Sequence, residues 1–385
     1  MDFELNEEQS AFAEMARIFS KNELAPKAQE WDEKEIFPRN TILKAGELGM
    51  CGLYSPEEQG GLGLRRLDCS IIFEELAKGC TSTTAFITIH NMATWMVCKF
   101  GSEETKRKWG NLLTTGKALA SYCLTEPGAG SDASAIKTRA IETGKYFTLN
   151  GGKIFSSGAG DTDLLLVFAR TGDFGPSGIS AFAVDSKTPG ISFGRKEKKM
   201  GWNSQPTRSI SFDNVRVSED TMLGKEGEGF KIAMQGLDGG RINIAACSIG
   251  TAQAAFDQAR NFMHERKQFG KTLAEFQGLR FKLADMNTDL VASRQMVRLA
   301  ANKLDSDHPD KATYCAMAKR FATDKCFTIC DEALQIFGGI GYIKEYPLER
   351  YLRDNRVHRI LEGTNEIMRL IISNRILIEN SEAIL

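Results

Sequence analysis

The sequence predicts an α+β multidomain protein: a helical N-terminal domain, a middle β-domain of barrel or sandwich type, and a C-terminal bundle of four-helix type. Three observations carry that expectation. Apolar residues recur at helical spacing up to about residue 118 and again beyond Gly229. The segment between them reads as short strand-like runs punctuated by Gly and Pro. The chain has 385 residues, more than the size at which a single core usually keeps growing. Domains are therefore expected at 1–118, 119–229 and 230–385.

In the first of these, Phe12, Met15, Ala16 and Phe19 share one helix face behind a cap at Asn6. Ile42, Leu43 and Leu48 lead to Gly49, and Leu67, Ile71, Phe73 and Leu76 lead to Gly79; both glycines suit a left-handed helix end. The stretch EEQGGLGL at 57–64 reads as a loop. Strand-like runs follow at 146–149, 164–168, 179–184 and 209–212, with Gly172, Gly175, Gly178, Gly190, Pro176 and Pro189 supplying turns. Beyond Gly229, residues Leu279, Leu283, Met286, Leu290, Val297 and Leu304 line one face of a long helix, suited to core packing or subunit contact.

Composition narrows the function class. Lys and Arg number 49 against 50 Asp and Glu, so there is no basic excess to draw nucleic acid or an anionic membrane. No apolar run approaches the roughly 20 residues that span a bilayer. Nine cysteines, odd in number and without a C-x-x-C pair, suit reduced thiols; Cys326 and Cys330, one helical turn apart, read as buried small side chains. None of the four histidines pairs with a cysteine or acid at ligand spacing, so no metal is expected. The acidic opening MDFELNEE is unlike a signal or transit peptide.

Two motifs point to chemistry. The run YCLTEPGAGSD at 122–132 lets backbone amides and a hydroxyl approach a pyrophosphate. The run EGTNEI at 362–367 holds a carboxylate beside a glycine at a loop-to-helix junction, stiff and close to a substrate. Each alone is a turn or a helix boundary. In this order, with RKQFG at 266–270 and QIFGGIGY at 335–342, they resemble the acyl-CoA dehydrogenase family over essentially the whole chain. Residues 196–208, KEKKMGWNSQPTR, and 237–244, LDGGRINI, are similar to its isobutyryl-CoA dehydrogenase branch.

The resemblance implies FAD and the removal of hydrogens from Cα and Cβ of an acyl thioester, a base taking the Cα proton as hydride leaves Cβ. Glu362 matches the family's base position, where a drying apolar pocket raises its pKa. Some branches draw the base from the helix matching 237–244, but here Gly239 and Gly240 precede Arg241 and no carboxylate adjoins the arginine. The Glu362 backbone N–H, with a ribityl hydroxyl, would stabilise the thioester oxygen, one such donor being worth roughly 3 to 4 kcal/mol.

For FAD the resemblance implies Tyr122, Cys123, Leu124, Thr125 and the 128–131 turn with Gly130 and Ser131, the last also facing substrate. Phe155, Ser156 and Ser157 stand where many relatives carry an aromatic and then a hydroxyl against the flavin. Arg266, Phe276, Gln277, Gln335, Gly338 and Gly339 would reach the FAD of a neighbouring subunit, and Thr364, Asn365 and Glu366 its adenosine side. Asp238, Arg241 and Gly363 would meet the thioester and CoA portion, Asp238 and Arg241 reading equally well as a buried ion pair. The basic run at 195–199 reads as a solvated loop rather than a CoA phosphate site.

By the same resemblance the partners are an acyl-CoA, electron-transferring flavoprotein and further copies of the chain in a homotetramer of paired dimers. The compartment would be a bacterial cytoplasm or, after removal of a presequence, the mitochondrial matrix. A short branched substrate, isobutyryl-CoA going to methacrylyl-CoA in valine breakdown, is favoured. Straight-chain or 2-methylbutyryl substrates, an oxidase and a non-enzymatic flavin-bearing binding protein are the alternatives.

Overall fold

The computed structural model describes residues 4–378; Met1, Asp2 and Phe3 of the acidic opening and residues 379–385 of the last expected domain lie outside them. The N-terminal part is built from α1 Glu7–Phe19, α2 Ala28–Glu33, α3 Arg39–Glu47, α4 Arg66–Gly79, α5 Thr81–Phe100 and α6 Glu103–Thr114. The Asn6 side chain accepts from the Gln9 N–H at 2.8 Å and the Gln9 side chain accepts from the Asn6 N–H at 3.2 Å, so two end amides of α1 are satisfied reciprocally. Gly49, at φ +78°, ends its helix as expected. Gly79 does not: it is the last residue of α4, and α5 begins two residues on with no left-handed turn between. A Cβ there would stand 2.6 Å from Ser20 Oγ, so this glycine serves close packing instead.

The middle part is one mixed sheet made of β1 Ala120–Cys123, β2 Arg139–Thr143, β3 Tyr146–Ser157, β4 Leu164–Arg170, β5 Ile179–Asp185, β6 Ile191–Phe193, β7 Thr207–Ser218 and β8 Met222–Leu223. The strand order is β6-β7-β3-β2-β4-β5-β8, with β1 parallel to β4. β3 and β7 run well past the apolar stretches in their sequences because one face of each is solvated. β4 is buried at every residue. One of its faces meets the inner faces of β3 and β7, and the other meets α5 and the first helix of the C-terminal part. The sheet thus folds over on itself in sandwich fashion.

The C-terminal part comprises α7 Gly229–Glu265, a ribbon of β9 Lys267–Gln268 and β10 Lys271–Thr272, α8 Gln277–Asp305, α9 Lys311–Phe337, α10 Leu348–Arg356 and α11 Asn365–Ile376. The three long helices α7, α8 and α9 pack together; α10 and α11 lie against α9, and α4 lies against α7. Met286, Leu290 and Val297 are buried in this core, and Leu279, Leu283 and Leu304 pack onto it. The ribbon interrupts the expected run of helices because Phe269 and Gly270 both take positive φ and turn the chain.

The N- and C-terminal parts are tied by charge. Arg353 of α10 donates to the two carboxylate oxygens of Asp32 in α2 at 3.2 and 2.6 Å, and Arg350 reaches Gln29 at 2.9 Å. All nine cysteines are buried and unpaired. In the basic run, residues 195–198 are exposed as expected, whereas Lys199 is partly buried and donates to the Gln205 carbonyl at 2.7 Å. Among the described residues no helix is long and apolar enough to cross a membrane.

Candidate functional site

Glu362 sits between α10 and α11 with φ +57°, and Gly363 follows at φ +89°. A glutamate held left-handed stores about 1 to 3 kcal/mol of strain, so its surroundings must fix it there. Glycine at position 240 on α7 leaves the carboxylate its place: a Cβ there would overlap Glu362 Oε2 and push it aside. Gly239 makes room in the same way for the Arg66 guanidinium, stacked 3.4 Å over the Tyr54 ring. Glu362 Oε2 is buried with no hydrogen-bond partner. Burial pushes its carboxyl up to about 7, against the opposing pull of Arg241 and Lys319. Such a group is half ionised near neutral pH, as a general base requires.

Lys319 of α9 secures the turn that carries Glu362. Its fully buried ammonium donates to the Gly363 carbonyl at 2.8 Å and to Asn365 Oδ1 at 2.9 Å, both neutral acceptors. Burial lowers the lysine to about 7. Asn365 is itself buried, and its Nδ2 donates to Thr323 Oγ1 at 3.0 Å and Asp324 Oδ1 at 2.9 Å. The Asn365 side chain thus serves the turn. Thr364 caps α11, accepting from the Ile367 N–H at 3.3 Å, and Glu366 is exposed.

Asp238 and Arg241 form the expected ion pair at 2.6 Å, nearly buried, while Arg241 Nε stays buried without a partner. The arginine's charge is also felt by Glu362.

A second wall is built from β1 and β3. The Tyr122 hydroxyl is buried without a partner, its pKa raised by burial and by the nearby Glu362 charge. Cys123, Leu124 and Ser156 are buried whole, side chain and main chain alike. The Glu126 carboxylate accepts from the Lys137 N–H at 2.6 Å, the Thr138 N–H at 3.0 Å and Lys153 Nζ at 2.7 Å, and Lys153 donates also to the Leu124 carbonyl at 3.0 Å. This buried pair fastens the 125–131 turn to β3. Ile154 N–H donates to the Thr125 carbonyl at 2.9 Å and Ser121 Oγ to the Ser157 carbonyl at 2.7 Å, drawing β1, turn and strand together.

Between Lys153 and Ser156 the register of β3 shifts, and Phe155 takes φ +55° with 65% of its surface exposed. A phenylalanine held left-handed at a bulge and turned outward is not a core residue; it offers a ring face. A Cβ added at Gly128 or Gly130 would meet nothing within 4 Å, and Ser131 is exposed. An exposed ring beside unobstructed amides and the hydroxyls of Thr125, Ser131 and Ser157 is a donor set that fits FAD.

Arg266, Gly338 and Gly339 line a groove of about 530 Å³ with Phe262, Ile336 and Phe337. Gln335 and Gln277 are exposed, and Phe276 sits edge-on to Phe269 beside the ribbon. This groove is made by α7, α9 and the ribbon, none of which forms the β1–β3 wall.

Sequence reading missed Lys319, the Glu126–Lys153 pair, and a small apolar cluster of Ala85, Ile89, Trp202 and Ile244 with Tyr122, Val357 and Leu361. One signal was there to find. Lys319 falls on the stripe Cys315, Ala322, Cys326 of α9, a lone charge on an otherwise buried face.

Models of the acyl-CoA dehydrogenase N-terminal, middle and C-terminal domains match residues 6–117, 121–215 and 227–377. The chain is 52% identical to mitochondrial isobutyryl-CoA dehydrogenase of Bos taurus, covering 97% of this chain and 90% of that one. It is 40% identical to the short-chain specific acyl-CoA dehydrogenase of Clostridium acetobutylicum, covering 98% and 100%. The structure of butyryl-CoA dehydrogenase from Megasphaera elsdenii superposes with a TM-score of 0.94 at 40% identity, over 98% of this chain and 100% of that one.

Proposed function

The chain belongs to the acyl-CoA dehydrogenase family of FAD-dependent oxidoreductases, and from that premise we propose that it dehydrogenates a short α-methyl-branched acyl-CoA, isobutyryl-CoA first. The single observation that carries the chemistry is Glu362: a carboxylate in strained backbone, unpaired, dried, and brought close to neutral pKa between two cations. Bound FAD supplies the acceptor for the hydride leaving Cβ.

The chain's own residues divide the remaining work. Glu362 takes the Cα proton, and its backbone N–H polarises the thioester oxygen as charge gathers there. Arg241 and Lys319 keep enough of the carboxylate ionised against desolvation. Tyr122, Leu361 and their apolar neighbours exclude water beside the reacting carbons. Thr125, Ser131, Ser157 and the 128–131 amides would hold the cofactor, and Phe155 would offer it a ring face. Arg266, Gly338 and Gly339 extend the cofactor site of a neighbouring copy in a homotetramer, and electron-transferring flavoprotein reoxidises the enzyme. The 52% identity to isobutyryl-CoA dehydrogenase over nearly the full chain supports the branched substrate and a place in valine breakdown.

Anaerobic titration of the flavin-loaded protein with isobutyryl-CoA, butyryl-CoA and 2-methylbutyryl-CoA tests this reading. Preferential bleaching of the flavin by isobutyryl-CoA is expected. Preferential bleaching by butyryl-CoA would move the substrate to the straight-chain class.

A further inference from the structure

Trp202 is the most unusual residue of the apolar cluster near Glu362. Its backbone has φ +56°, a conformation a bulky side chain rarely adopts, yet the residue is only 5% exposed. Three contacts hold it. Its N–H donates to Asp354 Oδ1 at 2.6 Å, and the preceding Gly201 has no room for a Cβ, which would stand 2.6 Å from the Arg353 carbonyl. Its indole Nε1–H donates to His358 Nε2 at 3.2 Å.

That last bond sets a chain of protons. An indole N–H can only donate, so His358 Nε2 accepts and the ring carries its proton on Nδ1, facing Ser248 Oγ at 2.6 Å. Ser248 in turn donates to the Ile244 carbonyl at 2.9 Å. Full burial lowers His358 to about 3, which keeps the ring neutral and the polarity of the chain fixed. The indole is therefore locked in one orientation through α7, at the same Ile244 against which it packs.

The position of that cluster decides what the indole can do. Leu361 precedes the base, Ile244 lies one turn beyond the Gly240 that accommodates its carboxylate, and Tyr122 is within electrostatic reach of Glu362. A large flat side chain is thus fixed in an apolar cluster that takes in two α5 side chains, Ala85 and Ile89, and reaches Leu361, the residue before the base. We infer that Trp202 is a specificity-determining residue, the fixed wall that limits the acyl group to a short chain. This deepens the reading of the chain as a short-chain acyl-CoA dehydrogenase and rests on it. The segment at 196–208, which the chemistry does not engage, thereby gains a role in specificity: it delivers the wall.

The test is kcat/KM of the FAD-loaded enzyme for isobutyryl-CoA, butyryl-CoA and hexanoyl-CoA in Trp202→Ala, Trp202→Phe and, as a control, Met200→Ala. Met200 is 59% exposed on the same loop. In Trp202→Ala the hexanoyl to isobutyryl ratio should rise about tenfold or more, since each methylene of pocket is worth roughly that factor. Trp202→Phe, which keeps a ring and is the safer fold, should shift the ratio the same way by less, and Met200→Ala should not move it. An unchanged ratio in Trp202→Phe and in any Trp202→Ala protein that retains its flavin would overturn the proposal. An unsubstituted holoenzyme that turned over none of the three would instead remove the underlying reading, and the proposal with it.

Discussion

Two turns in this molecule are each fastened by a buried lysine, and they are fastened differently. At the 125–131 turn Lys153 meets the Glu126 carboxylate directly, and that carboxylate is further satisfied by two backbone N–H groups. At the Glu362 turn Lys319 donates only to neutral oxygens, while Glu362, the carboxylate whose charge it feels most, keeps an unpaired oxygen. In the first turn charge neutralises charge and the result is a rigid support. In the second the charges are close but not joined, which leaves the carboxylate free to take a proton from something else. A buried ion pair is a poor base because its partner already holds it; separating the two groups by a carbonyl and an amide keeps the field without the bond.

The sharpest test of this contrast is Glu362→Gln, which should lower the rate of flavin reduction by acyl-CoA by about 10³-fold with FAD content unchanged. Retained activity would place the base elsewhere. Next in size, Lys153→Met leaves the buried Glu126 with its two backbone N–H partners but without its counter-charge, and should cost about 3 kcal/mol in urea denaturation together with flavin retention. A Lys153→Met, Glu126→Gln double variant should recover part of that loss. Lys319→Met should act on chemistry more than on stability. Around Lys319 stand Glu362, Asp324 and Glu366, and the cation Arg241. Removing the ammonium leaves Arg241 as the main opposing charge, so the midpoint of the pH rise in kcat/KM, expected near 7 with Lys319 in place, should move upward with a fall of about tenfold at neutral pH. An unmoved midpoint would reduce Lys319 to a purely structural support.

The smallest expected effect is on stability. Glu362 is raised from 4.5 to about 7 in the folded chain, so the unfolded chain releases this proton first as pH rises. Its contribution is fully present below pH 4.5 and is lost as pH climbs through 7. Glu362→Gln should flatten that part of the stability profile, which paired denaturation curves at pH 5 and pH 8 would show.

What could be read from the sequence followed from local rules. The Asn6 cap, the long apolar stripe of α8 and the Glu-Gly junction before α11 are set by residues within a turn or two of one another. β3 and β7 were seen only in part, because their solvated faces break the apolar runs. Gly79 and Gly240 look alike in a sequence, yet one admits Ser20 and the other a carboxylate from more than a hundred residues away. Partnerships such as Lys319 with Gly363, or Trp202 with His358, are tertiary facts; only the misplaced charge on the stripe of α9 hinted at the first.

The Arg353–Asp32 link carries a consequence for how the protein is made. Its two residues are 321 positions apart. At roughly 5 to 20 residues per second of synthesis, the nascent N-terminal helices wait about 15 to 60 s before their cationic partner has even been translated. Throughout that interval α2 lacks its counter-charge, and the surface against which α10 will dock is uncovered. Closure of the N-terminal helices against the rest of the chain is therefore among the last events that synthesis permits.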